Sequence, residues 1–432
     1  MTLEKLNIQS VCSYFHIACT LFLFSTLPFY YSIYTQYELI LFFASFVIDY
    51  IVGKRWQQGF KLNASRVVSL FLLLQFALLF IFGLFESEPK YLSTFYEYRL
   101  SFLGFGIVGL LGVNDKFKLR HFAYASVASI IVFFICLYSV LPDYVFKIEQ
   151  FNSLLREVSH YRALNICSHM TINIFLCVGM ALFTKIYLTS KNTFEKIFSA
   201  LVVILYFAIV MLSNARIGMI NASLLFGCIL LRTTIKNKKI LIPTMALLAV
   251  AVISSLYIIT TDNPIRSQIP ALNKSNPREF IWQEAIEKIK MSPIIGVGAS
   301  TNAAQFKEML LSNEDLIRTE IFLLSHLKQD HVYGMHPHNQ ILQGWQEYGI
   351  IGLFAILGLF ASIIMATRGS FTLSMVFAVI FVQLLSEVID GGVTTLGFCT
   401  YVYLIWVLLE SSDMRKEQIS SSNRALSSPC NA

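Results

Sequence analysis

The four consecutive residues His336-Pro337-His338-Asn339 hold two histidines, the side-chain type that moves protons near neutral pH. A neutral imidazole is available near pH 7 and can take a proton from a hydroxyl, so His338 is a candidate general base for an alcohol such as a sugar. Asn339 offers a donor and an acceptor to a substrate or to the imidazole; the plainer alternative is a satisfied polar group at a helix start. His331, His336 and His338 with Asp330 could also ligate a metal. Their spacing matches no common zinc signature, and Pro337 separates two of the ligands. Arginines suggest a second kind of chemistry. Arg216, in Ser213-Asn214-Ala215-Arg216-Ile217-Gly218, together with Arg278 and Arg162, carries a permanently charged fork that grips phosphate oxygens in pairs. Converging forks suit a pyrophosphate ligand, although each could instead snorkel or contact a lipid headgroup. Glu387 and Asp390 could orient a histidine or an arginine, or Asp390-Gly391-Gly392 could make a tight turn.

These residues need a frame, and composition says which kind. The chain has 432 residues, of which 56% are hydrophobic, 14% are charged and 37 are phenylalanine. That is too apolar for an ordinary soluble domain. Its apolar runs are helix-length rather than short and alternating, so the expected class is all-α, a polytopic membrane protein. About twelve spans of roughly 16 to 21 residues are read. They cover 11–31, 38–53, 67–85, 98–114, 122–141, 170–188, 197–213, 216–231, 240–260, 348–366, 371–387 and 393–410. Lysine and arginine mark cytoplasmic loops. Lys54, Arg55, Lys61, Arg66, Lys116, Lys118, Arg120, Lys185, Lys191, Lys196, Arg232, Lys236, Lys238, Lys239, Arg368, Arg415, Lys416 and Arg424 fall on one side, whereas 32–37 and 388–392 have none. Both termini are therefore expected in the cytoplasm, and 261–347, with His338, on the outer side.

One domain is expected over 1–410, including the outer loop 261–347, followed by a polar, disordered cytoplasmic tail over 411–432. At roughly 85 residues the loop far exceeds ordinary connections and is expected to hold structure and function. Within it, Asn276-Pro277 reads as a helix start. Ile281, Trp282, Ala285, Ile286 and Ile289 recur at helical spacing, and Ser292-Pro293 stops the run. A second helix is expected over 305–311. The amphipathic helix could pack over the spans or take part in substrate binding. All eight cysteines lie in or near spans or in the tail, so no disulfide framework is expected in the loop. The first apolar stretch reads as a retained signal-anchor. A net charge of +7 follows from the loop asymmetry, and nucleic acid is not an expected partner because no basic face with aromatic platforms exists.

The pattern His338-Asn339, nine residues, Gly349, two residues, Gly352 resembles the histidine motif of the O-antigen ligases, polytopic membrane glycosyltransferases related to the O-antigen polymerases. The Arg216-Ile217-Gly218 turn and the series Arg278, Trp282, Pro293, Gly296, Gly298 are similar to further landmarks of the wider family, so that the likeness covers 200–355. The resemblance implies an O-antigen ligase of a Gram-negative inner membrane, with a large, partly helical periplasmic loop. Its donor would be an undecaprenyl-pyrophosphate-linked glycan and its acceptor the lipid A-core oligosaccharide, in lipopolysaccharide biosynthesis. It implies inverting, metal-independent transfer without a cofactor. His338 would activate the acceptor hydroxyl, Arg216 and Arg278 would hold the pyrophosphate, and Asn339, Arg162 and Glu387 would help bind substrate. Two other readings stay open. A polymerase of the same superfamily would lengthen glycan on its lipid carrier. A transporter of a lipid-linked sugar would need broken helices and mid-bilayer charges, for which Asp49 is a candidate.

Overall fold

A computed structural model of the chain describes residues 8–29, 34–58, 62–86, 89–140, 169–213, 216–234, 277–312, 336–385 and 393–411. Among these residues every regular element is helical and there is no strand. The longer helices are α1 (Ile8–Thr26), α2 (Tyr34–Val52), α3 (Ala64–Gly83), α4 (Leu92–Leu111), α5 (Leu119–Val140), α6 (His169–Thr189), α7 (Thr193–Leu212), α8 (Arg216–Thr234), α9 (Pro277–Met291), α10 (Ala299–Ser312), α11 (Gln340–Thr367), α12 (Phe371–Leu384) and α13 (Val393–Glu410). A helix satisfies its own backbone, which is why uniformly apolar runs can take no other open form in lipid. Helices α1, α3, α5, α6, α7 and α11 are long and apolar enough to cross a membrane, and α8, α12 and α13 add shorter apolar helices. The chain is a multi-pass membrane protein.

Polar residues set the helix starts. Asn63 caps α3 by accepting from the Arg66 N–H, Asn192 caps α7 through Phe194, and Ser370 caps α12 through Leu373. Each satisfies an N–H that has no partner within the helix. Helix α6 is the hub, packed against α5, α7, α8 and α12, while α13 lies on α4 and α11 on α3. Consistent with this, Phe175 to Val178 and Tyr401 to Leu408 are buried, whereas Leu201, Ile204 and Leu205 of α7 and Phe354 and Ile364 of α11 are exposed. A bilayer would cover that outer apolar surface.

The expected spans coincide with helices except for 240–260, which lies outside the described residues. So do most of the loop 142–169, the segments 261–276 and 313–335, and the tail beyond Ser411. Several helices begin a few residues earlier than the expected spans, and two begin six or more residues earlier. Helix α4 starts at Leu92 rather than 98, and α11 starts at Gln340 rather than 348. Both extensions are polar stretches, which a hydropathy reading assigns to loops. The described parts of the long loop are largely helical. Helix α9 begins on Pro277 and ends before Ser292-Pro293, burying Ile281, Ala285 and Ile289. Ile286 departs from that face and is 42% exposed, because it sits well around the helix from the four-residue row. Helix α10 starts at Ala299, ahead of the expected 305.

Candidate functional site

The site is built around an interruption in α11. Tyr348 (φ −125°, ψ 17°) and Gly349 (φ 59°, ψ −148°) leave helical geometry and divide the helix into a short Gln340–Glu347 part and a long apolar part. A break leaves peptide groups without helical partners, which would be costly in lipid. Here the turn between α9 and α10 takes them up. Val297 N–H donates to Gln346 O at 3.0 Å, Gly298 N–H to Glu347 O at 2.8 Å, and Ile350 N–H to Ile294 O at 3.2 Å. A β-carbon at Gly349 would run into the Ile294 carbonyl, and one at Gly352 would fall on the Gly344 carbonyl. Glycine at 349 and 352 is therefore what allows the two parts of α11 to fold against each other and against the turn.

The histidine segment stands at the start of this broken helix. Asn339 is the N-cap: its Oδ1 accepts from Ile341 N–H at 3.0 Å and Leu342 N–H at 3.1 Å. Its Nδ2 donates to Leu385 O at 3.1 Å, tying the cap to the end of α12. The Trp282 Nε1 of α9 donates to Pro337 O at 2.8 Å. His338 is half-buried and has φ 49°, a left-handed conformation uncommon for a residue with a β-carbon. Its peptide N–H donates to His336 Nδ1 at 3.3 Å.

Behind the cap lies a charged cluster that the sequence reading passed over. Arg99, buried on α4, pairs through Nη2 with Glu347 Oε2 at 2.5 Å and donates through Nη1 to the Tyr348 hydroxyl. Gln343 Nε2 donates to Glu347 Oε1 at 2.7 Å. Glu86, after α3, accepts from Ala299 N–H at 2.9 Å and Thr301 N–H at 3.0 Å, filling the N-terminus of α10. Burial raises the Glu86 carboxyl above its ordinary range, opposed by those backbone donors and by Arg99. The signal that could have found this cluster was Glu347 and Arg99 themselves, charges flanking apolar runs at the same end of the bundle.

The other expected site residues stand as follows. Arg216 is the first residue of α8 and Arg278 the second of α9, one turn before Trp282; their side chains lie outside the described residues. Asn221 of α8 donates to Val379 O of α12 at 3.2 Å. At about 1.5 Å per residue, Arg216 then begins α8 near the level of Leu385, the end of α12 that Asn339 holds. The first turn of a helix is the positive end of its dipole, so two arginines there oppose the field unless an anion joins them. Ser213, capping α7, donates to Asn173 Oδ1 of α6 at 3.1 Å, and Gly218 lets α8 approach that same asparagine. Arg162, Glu387, Asp390, His331 and Asp330 lie outside the described residues. Among the described residues no three His, Cys, Asp or Glu side chains converge as metal ligands would. Asp49 stands in α2 and is paired with Arg55 Nη2 at 2.6 Å, Ser13 Oγ at 2.7 Å and Asn114 Nδ2 at 3.1 Å. It is a satisfied structural charge beside the connection Gly112–Asn114, at the end of α4 away from Arg99. The broken helix that a transporter would need is present in α11, but its freed peptide groups are occupied by the 294–298 turn.

Residues 201–357 match the family model described as O-antigen ligase, nearly the stretch over which the histidine and glycine pattern resembles those enzymes. An uncharacterized protein of Haemophilus influenzae is 26% identical over 199 residues, covering 43% of this chain and 47% of that protein. A protein of Rickettsia felis, provisionally named a polysaccharide ligase, is 35% identical over 80 residues, covering 18% of this chain and 17% of its own length. Each match spans less than half of the relative.

Proposed function

We propose that this chain, with its O-antigen ligase region at 201–357, is a membrane glycosyltransferase that moves a glycan from undecaprenyl pyrophosphate to lipid A-core at the periplasmic face of a Gram-negative inner membrane. The observation that carries the reading is His338, held half-buried at the cap of α11, at the end of the bundle where α8 begins with Arg216. His338 takes the proton of the acceptor hydroxyl as the oxygen attacks the anomeric carbon. The carbon–oxygen bond to the pyrophosphate breaks on the opposite face, so the configuration inverts. Arg216 and Arg278 bind the pyrophosphate and offset the charge that grows on it as it leaves. The leaving group is supplied by the donor itself, and the residues assigned here need neither nucleotide nor metal. Asn339 acts on substrate through position: its oxygen caps α11 and one N–H holds α12, so it fixes where His338 stands. Arg162 and Glu387 are further substrate contacts in this reading, and membrane lipid is the standing partner.

The test is transfer in liposomes by the purified chain, with a lipid-pyrophosphate-linked glycan, lipid A-core and EDTA, and no nucleotide. A glycan-bearing lipid A-core product that disappears in His338→Ala, with protein level unchanged, is the expected result. Glycan that lengthens on its lipid carrier would replace this reading with polymerisation. Normal transfer by His338→Ala would remove His338 from catalysis.

A further inference from the structure

His336 has no part in the transfer scheme above. It is 8% exposed, its Nδ1 accepts the His338 peptide N–H at 3.3 Å, and the two rings meet at 4.3 Å between centroids with their planes at 69°. His338 itself has φ 49°. A residue with a β-carbon is destabilised in the left-handed region, so something local must hold it there. A side-chain acceptor at one residue bonding the N–H two residues on is the geometry of an Asx turn, with imidazole Nδ1 standing where a carboxamide oxygen usually does. Pro337 between them fixes its own φ and keeps His336 out of the helical region. Trp282 grips the Pro337 carbonyl at 2.8 Å, and Asn339 anchors the following turn. Trp282 and His336 hold the two ends of one peptide unit, the Pro337 carbonyl and the His338 N–H, and the bond to His336 is the one made to the backbone nitrogen of His338 itself. For Nδ1 to accept, it must be unprotonated, with the ring proton on Nε2.

We infer that His336 is a positioning residue: by accepting the His338 N–H it holds that residue in the left-handed conformation and so sets the direction in which the reactive imidazole leaves the chain. The inference rests on His338 being the general base. It requires an acceptor at the place of Nδ1 and nothing else of the second imidazole. Asparagine supplies one, since its Oδ1 makes the same turn. Phenylalanine keeps the ring contact and supplies none.

The full-length chain is assayed for transfer as His336→Ala, His336→Phe, His336→Asn and His338→Ala. His336→Ala and His336→Phe are expected to lower kcat by about 10- to 100-fold, the scale of a misplaced catalytic group, with KM changed by about twofold or less. His336→Asn is expected to recover most of that loss. If His336→Phe turns over at the wild-type rate, or His336→Asn is as slow as His336→Phe, the inference is overturned while the ligase reading stands. Transfer by His338→Ala at the wild-type rate overturns the general-base reading and this inference with it. A second measurement does not depend on turnover or on variants that fold poorly. Nitrogen NMR of histidine-labelled wild-type protein near neutral pH is expected to give His336 protonated at Nε2 with Nδ1 as acceptor, and a proton on Nδ1 would overturn the inference.

Discussion

Lys288 of α9 has its Nζ buried without a hydrogen-bond partner among the described residues, 4.2 Å from the centroid of the Phe306 ring. Burial lowers its pKa to about 8, against the opposing pull of Glu284 and Glu308. With the folded value below the ordinary 10.5, the unfolded chain binds the proton more strongly. Stability therefore rises as pH increases between those two values; below the lower one the penalty for the buried charge is at its full size and no longer changes with pH. Lys288→Met keeps the length and removes the charge. It should raise the melting temperature of the detergent-purified protein at pH 7 and raise it less at pH 10; a lower melting temperature at pH 7 would mean that the ring and the two carboxylates outweigh desolvation. Arg216 gives the matching prediction on activity. Arg216→Lys retains the charge but loses the paired donors, and transfer should fall by about tenfold or more. Wild-type transfer would mean that Arg216 only anchors lipid. At this scale His338 could be singled out by its type and place alone, whereas the buried charges Arg99, Glu347 and Glu86 could not, because pairing across separate elements leaves no spacing to read.

The element that matters most is the divided α11, and its parts are held by different forces. Gly349→Ala would impose about 1–3 kcal/mol of backbone strain and push the new β-carbon into the Ile294 carbonyl. Gly397→Ala, where a β-carbon would meet nothing within 4 Å among the described residues, is the control and should be neutral or slightly stabilising. Glu347→Gln leaves the Arg99 charge buried beside a neutral amide and should destabilise by about 3 kcal/mol. Both Gly349→Ala and Glu347→Gln should lower the melting temperature and slow transfer together, since the cap that carries His338 rests on the same helix. A Gly349→Ala protein as stable as Gly397→Ala would show that the break is not needed. From the sequence the boundary at 348 was visible as a change in hydropathy, but a helix on both sides of it was not. The polar Gln340–Glu347 part is buried by α4 and the 292–298 turn, partners that lie far away in sequence.

For the whole molecule, the testable property is orientation. Residues 84–86, 292–298, 336–339 and 385 meet at one end of the bundle, whereas Arg55 meets Asp49 and Gly112, and Arg120 meets Glu195, at the other. With basic residues concentrated at that second end, a membrane-impermeant thiol reagent should label Met291→Cys, an exposed position, in intact spheroplasts. Lys118→Cys, also exposed, should be labelled only after permeabilisation, and reporters fused to either terminus should read as cytoplasmic. Labelling with the opposite pattern would invert the topology and remove His338 from the periplasmic face.

The sequence by itself determined that the chain is helical and built for a membrane, where most of its spans run and which histidine to watch. Those properties depend on local composition: a bilayer accepts only backbones that satisfy themselves, and a run of apolar residues meets that demand without reference to the rest of the chain. Only the tertiary structure decided that α11 is broken at Tyr348–Gly349, that the turn at 294–298 satisfies the break, that Arg99 is buried against Glu347, and that His338 is held left-handed over His336. Each of these is a bond or a conformation sustained by neighbours, and its stability exists only once those neighbours are packed in place.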